Sequence, residues 1–217
     1  MAPDFRWLGR LPYGEALALQ DELAARRASG DIGDRVLFLE HEPVYTIGRT
    51  RDRSSLGRAG LPHPVVEINR GGQATYHGPG QLVGYPILDL QRRGSDLHAY
   101  LRALETALID FLRTAGVDAG RREGLTGVWV EGRRKIASIG VGARRWVSMH
   151  GFALNVSRDL AGFEAIVPCG IAGVEMTSLE IETDRAWEVE ETARLLQPWL
   201  AAAFSRLASP APSSPAR

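Results

Sequence analysis

A chain of 217 residues, 44% hydrophobic and 24% charged, has the make-up of a globular protein large enough to bury a core. Its 26 basic and 26 acidic residues cancel, so no net field recruits nucleic acid or an anionic membrane surface. One cysteine excludes an internal disulfide framework, and no apolar run reaches the ~18 residues that span a bilayer.

The N-terminus, with Asp4, Arg6 and Trp7, lacks the basic-then-apolar pattern of a signal peptide, so the cytoplasm is the expected compartment. In chain order, residues 13 to 29 place Ala16, Leu17, Leu19, Leu23 and Ala24 at helical spacing and stop near Gly30, which predicts an amphipathic helix. Short β-rich runs follow at 36–39, 44–47 and 65–68, with residues 51–63 expected as a loop. Ser95 is the expected N-cap of a second helix, in which Leu97, Leu101, Leu104, Leu108, Phe111 and Leu112 recur at three and four before Gly116. Residues 127–156 read as an antiparallel meander with turns at Glu131–Gly132 and Arg144–Arg145. A last helix is expected over 187–207, kinked or divided at Pro198, and the tail 208–217 has a disordered composition. Strands outnumber helices and come in consecutive runs. The predicted class is therefore α+β, a mixed, largely antiparallel sheet flanked by helices, in one domain over residues 1–207.

Lys135 is the single lysine among the 26 basic residues, and Cys169 is the single cysteine. A lysine left where arginine fills every other basic position marks a site that needs an amine able to release its proton, which a guanidinium with a pKa above ~12 does not do. Cys169 is the chain's one strong soft nucleophile, and an ammonium beside a thiolate makes such a group reactive. The competing reading makes Lys135 a chance survivor of codon bias and Cys169 a small buried filler, and counts alone weigh the two evenly. Spacing adds to this. Lys135 alternates with Ala137 and Ile139, which predicts that it shares their apolar face, where burial favours the neutral amine; the alternative is a strand-edge gatekeeper. Cys169 lies between Pro168 and Gly170, so it is expected on a presented loop rather than in the core.

Residues 70–80, RGGQATYHGPG, combine four glycines with the strand formers Ala74, Thr75 and Tyr76, and Leu82, Val83 and Tyr85 follow. Missing Cβ atoms let backbone amides approach a bound carbonyl, phosphate or acyl chain, with Arg70 and His77 as polar heads. The plainer reading is a glycine bulge with His77 as a hydrogen-bonded core residue. Neither a Walker loop nor a dinucleotide fingerprint fits the spacing. Histidines 41, 63, 77, 98 and 150 show no ligand-pair spacing, and His41–Glu42–Pro43 does not continue into HExxH, so no metal is expected.

RGGQATYHGPGQLVGYPI, KIASIGVGARRWVSMHGFALNV and IVPCGI with MTSL resemble, in order, the signature blocks of the lipoyl(octanoyl) transferase family, and LEHEPVYTIGR resembles that family's first strand block. The resemblance implies the fold of the biotin and lipoate protein ligase catalytic domain. It also implies transfer of an octanoyl or lipoyl group from octanoyl acyl carrier protein to a lysine of lipoyl domains of 2-oxoacid dehydrogenases and of glycine cleavage H protein. In that family's terms Cys169 carries the acyl thioester, Lys135 favours its thiolate, and Arg70, Gly71, Gly72, Gln73, Ala74, Thr75, Tyr76, His77, Ser138, Ile139, Gly140, Gly151, Phe152 and Ala153 line the acyl site. A thioester is already activated, so neither ATP nor a cofactor is expected. An ammonium ~4 Å from the sulfur contributes on the order of 4 kcal/mol at an effective dielectric of ~20, enough to favour the thiolate. Backbone amides at Gly71, Gly72 or beside Cys169 are oxyanion candidates, His77 is open between carbonyl binding, orienting Lys135 and a structural role, and Ile139, Phe152 or Leu154 are candidate tunnel walls. Three other readings stand: an amidotransferase between lipoyl domains, an ATP-dependent ligase, and a non-catalytic acyl-binding module.

Overall fold

The alternating and helical periodicities close around one sheet with helices on both faces. The computed structural model describes residues 2–49, 53–56, 60–170 and 173–207, the side chain of Cys169 excepted. In chain order the elements are β1 (Asp4–Leu11), α1 (Tyr13–Ser29), β2 (Arg35–His41), β3 (Val44–Ile47), β4 (Val65–Glu67), β5 (Thr75–His77), β6 (Gln81–Ile87) and α2 (Leu97–Thr114). Then come β7 (Ala119–Arg122), β8 (Leu125–Val130), β9 (Arg134–Arg144), β10 (Val147–Asn155), β11 (Glu175–Met176), α3 (Leu179–Thr183) and α4 (Val189–Ser205). Among the described residues the main sheet runs β1-β2-β6-β10-β9-β8-β7 with β11 added on β9, and a second sheet runs β4-β3-β5. Most neighbours are antiparallel, while β1 lies parallel to β2, β4 to β3 and β11 to β9, so the α+β, largely antiparallel expectation holds.

Alternation along the strands divides the core in two. Val36, Phe38, Leu82, Val128, Val130, Phe152 and Leu154 pack under α2 and α4, which are brought together through Leu104, Leu108, Leu196 and Leu200. Leu37, Leu39, Val83, Tyr85 and Ala153 face α1 through Ala16, Leu23 and Ala24. α1 spans the predicted residues and stops at Gly30, whose φ of +87° places its N–H on the Arg26 and Arg27 carbonyls.

Several expectations are corrected. The N-cap of α2 is Asp96, whose carboxylate accepts from the amides of His98 and Ala99; Ser95 sits one residue earlier at φ +54°. The β9–β10 turn centres on Arg145 and Trp146, both at positive φ, one residue beyond its predicted place. Trp187 precedes the last helix, and Pro198 lies inside α4 without dividing it. Burial of Leu196, Leu200 and Phe204 outweighs the ~3 kcal/mol a mid-helix proline costs. β1 was not predicted because Asp4, Arg6 and Arg10 punctuate its apolar residues, as suits an edge strand. The expected tail 208–217 and residues 51–52 and 57–59 of the expected loop lie outside the described residues.

Candidate active site

Where β5, β6, β9 and β10 meet the start of α1, a cavity opens that is lined by Tyr13, Arg70, Gly72, Gln73, Thr75, His77, Tyr85, Ser138, Ile139, Gly140, His150, Gly151, Phe152 and Ala153. Eleven of the fourteen residues expected at the acyl site line it. Gly71, Ala74 and Tyr76 do not: the Gly71 amide donates to the Val141 carbonyl, Ala74 is fully buried, and Tyr76 packs against Tyr45 and Phe163. Strand alternation is the reason, since Thr75 and His77 share one face of β5 and Tyr76 takes the other. Arg70 reaches the cavity beside Gly140, where a Cβ would stand 2.9 Å from Arg70 Cδ. Its guanidinium donates to Gly71 O (2.9 Å), Thr46 O (3.2 Å) and Thr46 Oγ1 (2.9 Å).

Tyr13, Tyr85 and His150 complete the lining without having been expected. His41 contacts the Leu11 carbonyl through Nδ1 (3.0 Å) and Tyr85 Oη through Nε2 (2.7 Å). Burial pushes the His41 ring down to about 4, so at neutral pH its one proton is on Nδ1 and Tyr85 must donate to Nε2. Burial pushes the Tyr13 hydroxyl up to about 12, against the opposing influence of Arg70 and Tyr85, so it is protonated at neutral pH. His77 Nδ1 meets Gln81 Oε1 at 2.7 Å, while Gln81 Nε2 donates to Tyr76 O (3.3 Å) and Asn155 Oδ1 (2.9 Å), and Asn155 Nδ2 to Thr177 O (2.9 Å). Two backbone carbonyls thus fix both amide orientations. His77 carries its proton on Nδ1 and keeps a bare Nε2, and burial, with His41 nearby, holds the ring neutral down to about 3. A neutral ring with a bare Nε2 cannot donate to an acyl carbonyl, which closes that option for His77. Burial and Arg70 push His150 down to about 4, the nearby Asn69 backbone opposing the shift. His150 Nδ1 and Thr75 Oγ1 are buried without a partner among the described residues.

Lys135 is 2% exposed, but not on the expected face. β8 and β9 pair Val128 with Ala137 and Trp129 with Lys135, leaving Ile136 as an inserted residue. This bulge reverses the parity: Ile136 and Ala137 both join the core under α2, and Lys135 turns to the opposite face, with its Nζ 5.0 Å from the centre of the Trp129 ring. Gly127 makes room for it at φ +124°, where a Cβ would lie 2.7 Å from Lys135 Cε and 3.3 Å from Nζ. The Gly127 amide donates to Glu105 Oε1 (3.2 Å), a buried carboxylate held by Arg102 (2.6 Å) and Arg121 (2.8 Å).

Cys169 falls in a single 3-10 turn, Pro168–Gly170, as its proline and glycine neighbours suggest. Its side chain lies outside the described residues. A Cβ on Gly170 would overlap the side-chain amide of Gln73, so the turn abuts the cavity lining. Downstream, Met176 pairs with Lys135 across β11 and β9, and the Thr177 amide donates to Lys135 O at 3.0 Å. The backbone that follows Cys169 thus meets the cavity lining at Gly170 and the lysine strand at Met176 and Thr177. Among the described residues no three His, Cys, Asp or Glu side chains gather as for a metal ion, and no helix is long and apolar enough to cross a membrane.

The profile of the lipoyl protein ligase A/B catalytic domain matches residues 12–201. Over 187 residues the chain is 57% identical to an octanoyltransferase of Geobacter sulfurreducens, covering 85% of this chain and 77% of that one. An octanoyltransferase of Synechococcus elongatus is 53% identical over 182 residues, covering 80% of this chain and 76% of that one. Among solved structures, lipoate-protein ligase A bound with ATP superposes with a TM-score of 0.73 at 17% identity, covering 94% of this chain and 86% of that one. A bi-partite lipoate protein ligase of Thermoplasma acidophilum, studied with its E2 lipoyl domain, gives 0.68 at 17% identity, covering 94% and 84%.

Proposed function

Because the chain belongs to the family of the lipoyl protein ligase A/B catalytic domain, we propose that it moves an octanoyl group from an acyl carrier protein thioester, through Cys169, to a lysine of a lipoyl domain. The enzyme is an acyltransferase, and octanoyl transfer in lipoylation follows from its octanoyltransferase relatives. The lipoyl domain as acceptor draws on the structural neighbour studied with one, and the glycine cleavage H protein is proposed beside it as a further acceptor. The single observation that carries the residue assignment is the burial of the chain's one lysine on a strand whose backbone holds the segment following Cys169.

In this reading the Cys169 thiolate attacks the acyl carbonyl, and the pantetheine sulfur leaves with a proton from the Lys135 ammonium. The acyl-enzyme then faces the acceptor lysine amine. As the new amide forms, the Cys169 sulfur departs as a thiolate and the amine's proton passes to neutral Lys135, restoring the starting pair. An arginine at 135 would stabilise the thiolate but could not take that proton back. A thioester exchanged for a thioester needs no nucleotide, and no cofactor enters either step. The acyl chain lies in the cavity, with Ile139 and Phe152 as its apolar walls.

Intact-mass spectrometry after mixing with octanoyl acyl carrier protein tests the scheme. One octanoyl adduct is expected on the unaltered enzyme, absent in Cys169→Ser, and discharged on adding a lipoyl domain. A dependence on ATP would make the enzyme a ligase, and charging from an octanoylated lipoyl domain alone would make it an amidotransferase. Acyl binding without an adduct, unchanged in Cys169→Ala, would leave only a binding module.

A further inference from the structure

Resting on the acyl-transfer reading, we propose that Trp129 is a positioning residue for that reaction: the face of its ring holds the Lys135 ammonium in place for acyl-enzyme formation without locking the proton on it. The Lys135 Nζ lies 5.0 Å from the centre of the Trp129 ring, and the two residues are 2% and 1% exposed.

Strand register makes the pair. Val128 stands opposite Ala137, and both face the core under α2. Regular pairing from there would set Ile136 against Trp129 and Lys135 against Val130, with the amine turned into that core. The extra residue at 136 shifts the ladder, so Lys135 becomes the cross-strand partner of Trp129 on the other face. As a mere filler an indole is a poor choice here. Its Nε1 is buried without a hydrogen-bond partner among the described residues, which disfavours it by about five- to 150-fold against a hydrocarbon group of like shape. What the indole adds is the electron-rich face that attracts a cation most strongly among the aromatic side chains. Arg122, an exposed residue of β7, brings a second cation to 5.2 Å from the centre of the same ring.

Magnitudes favour a ring over a carboxylate at this place. A desolvated cation–π contact favours the held ammonium by about two- to thirtyfold, and the lysine stem still packs on the indole once the proton has gone. A carboxylate ~4 Å away, at an effective dielectric of ~20, would favour the ammonium on the order of a thousandfold. The departing pantetheine sulfur would then have to take its proton against that factor. The ring restrains a flexible four-carbon stem and still lets the proton leave.

Fluorine separates the charge of the ring from its bulk. Mono-, di- and trifluorotryptophan placed at position 129 alone drain the π-face stepwise with little change in volume, so a packing role would leave the rate unmoved. The limiting rate of acyl-enzyme formation from octanoyl acyl carrier protein is measured by intact mass in single turnovers. It is expected to fall stepwise along the series, by about fivefold in all, while the half-saturating concentration of the carrier protein stays within about twofold. Trp129→Phe, which keeps a π-face, is expected to react at least about threefold faster than Trp129→Leu, and this pair serves if the fluorinated proteins do not fold. A rate that holds or rises along the fluorinated series would overturn the proposal, as would equal rates in Trp129→Phe and Trp129→Leu. Absence of an octanoyl adduct on the unaltered enzyme would instead overturn the acyl-transfer reading itself, and the role of Trp129 with it.

Discussion

Lys135 occupies a place that only a glycine at 127 leaves open. A Cβ there would press on Lys135 Cε at 2.7 Å and on Ala137 O at 2.6 Å, at a φ that L side chains rarely adopt. Gly127→Ala is therefore expected to cost about 1–3 kcal/mol and to move the amine off the Trp129 ring. The chain's single lysine makes this visible, since selective ¹³C labelling of lysine yields one Hε–Cε signal. That signal is expected upfield in the unaltered protein, under the ring current of Trp129, and nearer the position of free lysine in the variant. An identical signal in both proteins would show that Gly127 does not hold Lys135 in place. Lys135 stood out in the sequence by its singularity, but its direction was not legible. Simple alternation assigned it to the face of Ala137 and Ile139, and the inserted Ile136 reverses that assignment. A bulge has no signature in a run such as KIASIG, because it is set by the register of β8 against β9.

At the scale of elements, helices announced themselves and their ends less so. The leucine stripe of α2 was readable, yet its cap was misplaced by one residue, since serine and aspartate are both good caps and stand side by side at 95 and 96. The Asp96 carboxylate reaches the amides of His98 at 2.8 Å and Ala99 at 3.0 Å. Asp96→Ala should accordingly destabilise the protein by about 1 kcal/mol in urea unfolding, and Ser95→Ala by only a few tenths. The reverse order would restore Ser95 as the cap. The glycine-rich segment, β9 and β10 exposed most of the cavity in advance because their residues are contiguous and their chemistry unusual. Tyr13, Tyr85 and His150 escaped for the opposite reason: they sit singly on α1, β6 and β10, and only strand order brings them together. The one hint in the chain was polar residues in otherwise apolar runs.

For the molecule as a whole, burying neutral histidines around the cavity makes its stability depend on pH. His41, His77 and His150 have folded values of about 4, 3 and 4, below the usual value near 6.5. The unfolded chain therefore binds protons that the folded one excludes. Their contribution is fully present above pH ~6.5 and is lost as pH falls toward the folded values. Carboxylates do not confuse this window. Burial alone would raise Asp34, but hydrogen bonds from Arg93 and Arg27 outweigh it and hold it low, so its contribution is lost only below pH ~4. From pH 7.5 to 5.5 each histidine contributes about 1.4 kcal/mol of lost stability, roughly 4 kcal/mol for the three. Urea unfolding at the two pH values is expected to show a loss of that order, and His41→Gln to remove about a third of the difference. Equal stability at pH 7.5 and 5.5 would mean that the three rings take up protons in the folded state as readily as in the unfolded chain.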